Sequence, residues 1–227
     1  MRKQFIYLLI FTVCLVGFYK LGRSVWHPVY VKVAGKRTSA GVIELLAKTR
    51  FGSIKTGRYR NLRIIILKEE RSLELWGEAV QTKQFEMIKA FPFTAFSGTL
   101  GPKLKEGDGQ IPEGVYGIEY LNPNSSYHLS MKLTYPNDFD RAMAKKDGRK
   151  NLGDDIFIHG KDVTIGCVPL GDEAIEEVFY WVYKIGKDNV KVISLPYDMR
   201  ISERKLEIPR IDWETKLYDS LRNEINL

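Results

Sequence analysis

Residues 155–171, reading D-I-F-I-H-G-K-D-V-T-I-G-C-V-P-L-G, hold the only cysteine outside an N-terminal apolar segment and one of the three histidines. Ile156, Phe157 and Ile158 form a short apolar run of the kind that makes a buried strand, and His159-Gly160 falls where that strand gives way to a turn. Lys161-Asp162 completes the turn, Val163-Thr164-Ile165 reads as the returning strand, and Gly166-Cys167 follows before Pro169 and Gly171 break the pattern. A hairpin of this kind commits the chain to short strands joined by tight turns. It also brings an imidazole and a thiol toward each other.

A thiol is a poor nucleophile at neutral pH, because a reference pKa of about 8.5 leaves only a few per cent as thiolate. A neighbouring imidazole can take the proton and leave a thiolate-imidazolium pair, the usual route to a cysteine acyl-transfer nucleophile. Gly166, lacking a Cβ, lets a substrate carbonyl approach the backbone N–H groups around Cys167, where an oxyanion needs donors. The same residues have a plainer reading: a free cysteine is commonly a small buried hydrophobe, and a histidine at a strand end a turn residue.

Short strands recur from residue 62 onward. Residues 62–67 are apolar, Glu69-Glu70-Arg71-Ser72 is a polar turn, and residues 73–76 return, giving a hairpin. Residues 85–96 continue extended, with Pro92 marking an edge or bend. Residues 98–114 carry five glycines and two prolines among Lys103, Lys105, Glu106, Asp108 and Glu113, a loop suited to lining a groove or serving as a mobile connector. Residues 115–121 are the next strand. Over 127–133, Tyr127, Leu129, Met131 and Leu133 alternate with His128, Ser130 and Lys132, so His128 and Ser130 face away from the core. Residues 139–152 read as a loop or lid with a short helical turn. Asp172 caps a helix whose packing face is Ile175, Val178, Phe179 and Val182. Residues 190–195 form a last strand, and 213–221 an amphipathic tail helix. The class is a β-rich α+β fold, a sandwich of short strands with peripheral helices.

The charge is unevenly placed. Residues 1–75 contain 15 Lys and Arg against 4 Asp and Glu, and the remainder contains 20 against 24, within a net charge of +7. A nucleic-acid partner calls for a basic face on the folded domain, so nucleic acid is excluded, whereas a basic leading segment fits an anionic lipid surface or wall polymer. Arg2-Lys3 precedes an apolar run over 5–19, short of the roughly 20 residues a membrane span wants, with no A-x-A cleavage site after it. An uncleaved signal anchor over residues 5–21, tethering a periplasmic domain to the inner membrane, is the expectation, with secretion after cleavage as the alternative. The implied division is an anchor over 1–24, a basic linker with one short helix capped by Ser39 over 25–61, a catalytic domain over 62–200 and a helical tail over 201–227. The apolar side of the linker helix is Val42, Ile43, Leu45 and Leu46. One cysteine and two histidines beyond the linker make no tetrahedral metal site, and no G-x-x-x-x-G-K-[ST] loop is present, so neither metal nor nucleotide cofactor is expected.

Thr164-Ile165-Gly166-Cys167, with Ile158-His159-Gly160 upstream and V-P-L-G-D-E-A-I-E-E-V downstream, resembles the YkuD-type L,D-transpeptidase family, whose signature is [Ser/Thr]-His-Gly-Cys with a general-base histidine upstream. Ile165 replaces the signature histidine, and His159 lies only eight residues before Cys167. Both departures resemble the branch whose enterobacterial member detaches the Braun lipoprotein from peptidoglycan. That branch also carries segments similar to residues 101–116 and 127–137. The resemblance implies an L,D-transpeptidase-type sandwich and an acyl-transfer enzyme on peptidoglycan stem peptides, transpeptidase or amidase, with a peptidoglycan-linked lipoprotein as a further partner. It implies Cys167 as nucleophile, His159 as proton acceptor and donor, Gly166 as oxyanion donor and the Gly160 carbonyl orienting the imidazole. His128, Ser130 and Thr164 become substrate contacts. A non-catalytic wall-binding module of the same fold is the competing reading; it requires a buried, unreactive Cys167.

Overall fold

The computed structural model describes residues 2–209 and 211–225; position 210, Met1 at the head of the expected anchor and the last two residues of the expected tail lie outside them. Its strands are β1 (Tyr59–Leu67), β2 (Ser72–Ala79), β3 (Phe85–Pro92), β4 (Gly114–Tyr116), β5 (Ile118–Asn122), β6 (Ser130–Leu133), β7 (Phe157–His159), β8 (Val168–Pro169) and β9 (Val190–Leu195). They form a five-stranded sheet in the order β3-β2-β1-β9-β4 and a four-stranded sheet in the order β5-β6-β7-β8.

The near-continuous apolar run of β1 has a structural cause. β1 pairs antiparallel with β2 and parallel with β9, at the centre of the larger sheet. A central strand covered on both faces has no solvent side to alternate toward. Leu62, Ile64 and Ile66 accordingly enter one core and Ile65 and Leu67 a second, all at most 3% exposed. The first core is filled by helix α5 (Asp172–Ile185), which packs against β1 of the larger sheet and against β6 and β7 of the smaller. Its Ile175, Val178, Phe179 and Val182 are fully buried, each worth about 1.5–3 kcal/mol relative to exposure. The second core is closed by α6 (Glu214–Glu224) through Leu217, Tyr218 and Leu221, so the expected tail helix covers the back of the larger sheet. The result is a mixed α+β fold of sheets and helices. The long helix, expected on the periphery, lies between the sheets.

Several expectations are corrected. Val163-Thr164-Ile165 is not a returning strand: the chain loops for eight residues after His159, and β8 joins β7 in parallel. Residues 115–121 divide at Gly117, β4 joining one sheet and β5 the other. The 139–152 loop contains a helix, α4 (Asp138–Lys146), nucleated by a capping box in which Asn137 and Asp140 each accept the other's backbone N–H. Gly171, not Asp172, precedes α5, and the Asp172 carboxylate binds Lys161 instead. Helix α3 (Ser39–Leu46) is capped by Thr38 rather than Ser39; Val42, Ile43 and Leu46 are buried, but Leu45 is exposed. The apolar run near the N-terminus does form a helix, α1 (Arg2–Leu21), followed by α2 (Arg23–Ala34). The expected anchor over residues 5–21 is nevertheless not supported, because no helix among the described residues is long and apolar enough to cross a membrane. Fifteen apolar residues rise only about 22 Å, against a hydrocarbon core of about 30 Å.

Candidate active site

In the parallel pair of β7 and β8, Ile158 lies beside Val168 and His159 beside Pro169. Ladder partners point to the same side and successive residues alternate. Ile158 and Val168 turn into the core, both fully buried, so His159 and Cys167 turn to the other face. Cys167 occupies the level of Phe157, whose N–H points at Sγ at 3.4 Å. Extending that alternation one residue ahead of β8 puts Cys167 on the side of His159, two positions away along the strand direction, about 7 Å of backbone. Sγ faces the Asp155 carbonyl at 3.6 Å, and among the described residues neither ring nitrogen of His159 is hydrogen-bonded to it.

His159 is 3% exposed, with Nδ1 2.5 Å from the Gly160 carbonyl. A carbonyl only accepts, so Nδ1 carries the proton and Nε2 keeps its lone pair. The Tyr127 ring lies over the imidazole with centroids 4.9 Å apart. Burial pushes the imidazole pKa down, and the Gly160 carbonyl only partly opposes it. Burial likewise pushes the Cys167 thiol up; the Phe157 N–H and the Lys103 ammonium counter this, while the Asp155 charge adds to it. Both shifts favour uncharged forms. They favour a thiol and a neutral imidazole over the ion pair expected from sequence.

The loop before Cys167 is organised by Thr164. Its Oγ1 accepts the N–H groups of Gly166 at 3.1 Å and Cys167 at 2.9 Å, and donates to the Cys167 carbonyl at 2.7 Å. The two N–H groups expected to hold an oxyanion are already engaged, and Thr164 faces its own loop rather than a substrate. Gly166 adopts φ +126°, and a Cβ there would meet the Gln110 carbonyl at 3.0 Å, so the loop over 98–114 rests directly against it. That loop is not a mobile connector. Asp108 accepts the N–H groups of Leu104, Lys105 and Gln110 and pairs with Lys103 at 2.6 Å. From below, the buried Lys68 donates to the carbonyls of Gly101 and Ile111 and to Glu113.

Two expected contacts fall outside the cleft. His128 sits at φ +76°, before β6 begins, and its Nε2 lies 2.8 Å from Glu176 Oε1 on α5. The alternation that turned it outward breaks because the strand starts only at Ser130. Ser130 pairs with His159 and shares its face, but is 2% exposed. Sequence reasoning missed Tyr127, Phe157 and Asp155, whose contributions are a ring, an amide and a carbonyl. The Lys103–Asp108 pair was visible in the glycine-rich segment as charges without assigned partners. Among the described residues no group of three or more His, Cys, Asp or Glu side chains is placed to hold a metal ion.

The model of the YkuD L,D-transpeptidase catalytic domain matches residues 62–193, and the chain belongs to that family. It is 33% identical over 147 residues to the protein named "Putative L,D-transpeptidase YafK" of Escherichia coli strain K12, covering 63% of this chain and 56% of that protein, so it spans little more than half the relative's length. Among solved structures, the helical cell shape determining protein Pgp2 of Campylobacter jejuni aligns with TM-score 0.47 and 18% identity, covering 79% of this chain and 59% of that one. Bd1075 of Bdellovibrio bacteriovorus aligns with TM-score 0.44 and 18% identity, covering 75% and 58%.

Proposed function

We propose that this protein is a cysteine acyl-transfer enzyme acting on peptidoglycan stem peptides, in keeping with the substrates of its family. What carries the reading is the placement of His159 on β7 and of Cys167 immediately before its parallel neighbour β8, level with Phe157, with Nδ1 tied to the Gly160 carbonyl and Nε2 left as a free base. A rotation of the Cys167 side chain away from the Asp155 carbonyl brings Sγ–H toward Nε2, which takes the proton. The thiolate attacks the peptide carbonyl carbon and forms the S–C bond. Collapse breaks the C–N bond, and the imidazolium returns its proton to the departing amine. The thioester then passes to an amine, giving a cross-link, or to water, making the enzyme an amidase.

An oxyanion at this carbonyl competes with Thr164 Oγ1 for the Gly166 and Cys167 N–H groups, so substrate binding displaces that hydroxyl. A periplasmic or extracellular location fits wall chemistry. Peptidoglycan carrying a bound lipoprotein peptide is the second donor to examine. The deciding experiment separates by mass the products that native protein and Cys167→Ala release from purified peptidoglycan. New cross-linked or cleaved stem peptides with native protein alone support the reading. Identical product sets from the two proteins refute it and favour a wall-binding module.

A further inference from the structure

We propose that the groove between the glycine-rich loop and the C-terminal strap, residues 206–209 with Ile211, is a second contact region for the stem peptide, taking a segment that bears both a carboxylate and an ammonium group; this rests on the reading of the Cys167 site above. The groove has a volume of about 570 Å³ and is walled by Leu104, Lys105 and Gln110 on one side, Glu207 and Ile208 on the other, and Arg149.

The groove is continuous with the Cys167 loop. Gln110 belongs to both: its side chain is fixed to Thr99 by two hydrogen bonds, accepting the N–H at 3.0 Å and donating to Oγ1 at 2.9 Å, and its backbone carbonyl rests against Gly166. A peptide leaving the sulfur has one residue to cross. Both walls are held in advance of binding. The loop is clamped by Lys68 from beneath and by Asp108 from within, and the strap lies on it, with Ile208 Cδ1 3.2 Å from where a Cβ on Gly101 would stand. A groove fixed in advance loses little ordering entropy when a peptide enters.

The charges indicate what fits. Arg149 is paired with Asp147 at 2.9 Å, and Asp108 is consumed by Lys103 and three backbone N–H groups. Lys105 and Glu207, both exposed, make no ion pair among the described residues and stand on opposite walls. Among the described lining residues this unpaired cation and this unpaired anion, to either side of Leu104 and Ile208, suit a zwitterionic peptide segment better than a purely anionic or purely apolar one. The strap lies beyond residues 62–193, outside the stretch that the family model matches.

The test measures binding separately from turnover. Calorimetry with a disaccharide-tetrapeptide muropeptide is run on Cys167→Ala protein, alone and combined with Lys105→Ala, Glu207→Ala or both. The double replacement is expected to weaken the Kd about tenfold, and Lys105→Arg to restore most of what Lys105→Ala loses. Unfolding midpoints should match, since both side chains are exposed. A Kd within twofold of the Cys167→Ala parent for every variant, or no binding by that parent, overturns the proposal. Failure of the Cys167 reading registers elsewhere, as no covalent adduct between native protein and a carbapenem-type β-lactam, to which the family's cysteine is expected to respond.

Discussion

In the larger sheet, β1, β2 and β3 run eight or nine residues, and from Ile64 onward β1 has no solvent face; in the smaller sheet no strand exceeds five residues, and β8 has two. The larger sheet also buries a complete ion pair, Lys68 with Glu113, whose polar atoms all find partners. Around the smaller sheet the backbone is under tension instead. Of the five non-glycine residues with left-handed φ among the described residues, His128, Asp155 and Lys161 border β6 and β7, and each such residue costs on the order of 1–3 kcal/mol. The contrast shows a division of labour. A long strand buried on both faces over its second half anchors the larger sheet, and the short strands of the smaller sheet present an imidazole beside the loop that carries the thiol.

The comparison can be broken most forcefully at its rigid end. Lys68→Met leaves Glu113 buried without its cation and is expected to destabilise by about 3–5 kcal/mol in denaturant unfolding. Adding Glu113→Gln should recover much of that loss, and failure to recover would mean that the pair is not the clamp described. Phe179→Ala, opening a void between the sheets, should cost about 3–5 kcal/mol by the same measurement. On the smaller sheet, Thr164→Val should cost only about 1 kcal/mol of stability while changing kcat more than KM, because it frees the two N–H groups from their internal acceptor and unsets the loop. A stability loss equal to that of Phe179→Ala would erase the contrast.

The pH dependence sharpens the same point. His159 is depressed by burial, so the unfolded chain takes up a proton first as pH falls. Its contribution to stability is complete above about 6.5 and is lost as pH drops from there toward the lower folded value. Activity, which needs the neutral ring, should show its acid limb below about 6.5 in the kcat/KM profile. A limb above that value would contradict a buried neutral imidazole. The smallest effect belongs to Ile165→Ser. That side chain is 87% exposed, and unfolding should move by no more than about 0.5 kcal/mol.

Legibility followed the same division. The 62–76 hairpin, the edge at Pro92, the buried face of α5 and the last strand were readable because each carries a run of apolar residues long enough to show, or a residue that marks an edge. The smaller sheet was not. A three-residue strand carries no periodicity, so Val163-Thr164-Ile165, β-branched throughout, read as a strand while lying in a loop. A two-residue strand starting at Val168 leaves no trace in composition. Cys167 and His159 stood out as candidates from their chemistry and from the family signature. Their protonation was not, since burial depends on Tyr127 and on residues far away in sequence. Thr164 misled for a related reason: its hydroxyl answers to N–H groups two and three positions later, an arrangement that residue type alone does not announce.

The eight-residue excursion from His159 to Val168 has a practical consequence for anyone wishing to rewrite this protein. Its lettering at Val163 and Ile165 is open to water and can be exchanged freely. The pairing of Val168 with Ile158 is not: a one-residue slip of β8 against β7 would reverse which way the sulfur points, turning it inward among the aliphatic side chains and away from the imidazole.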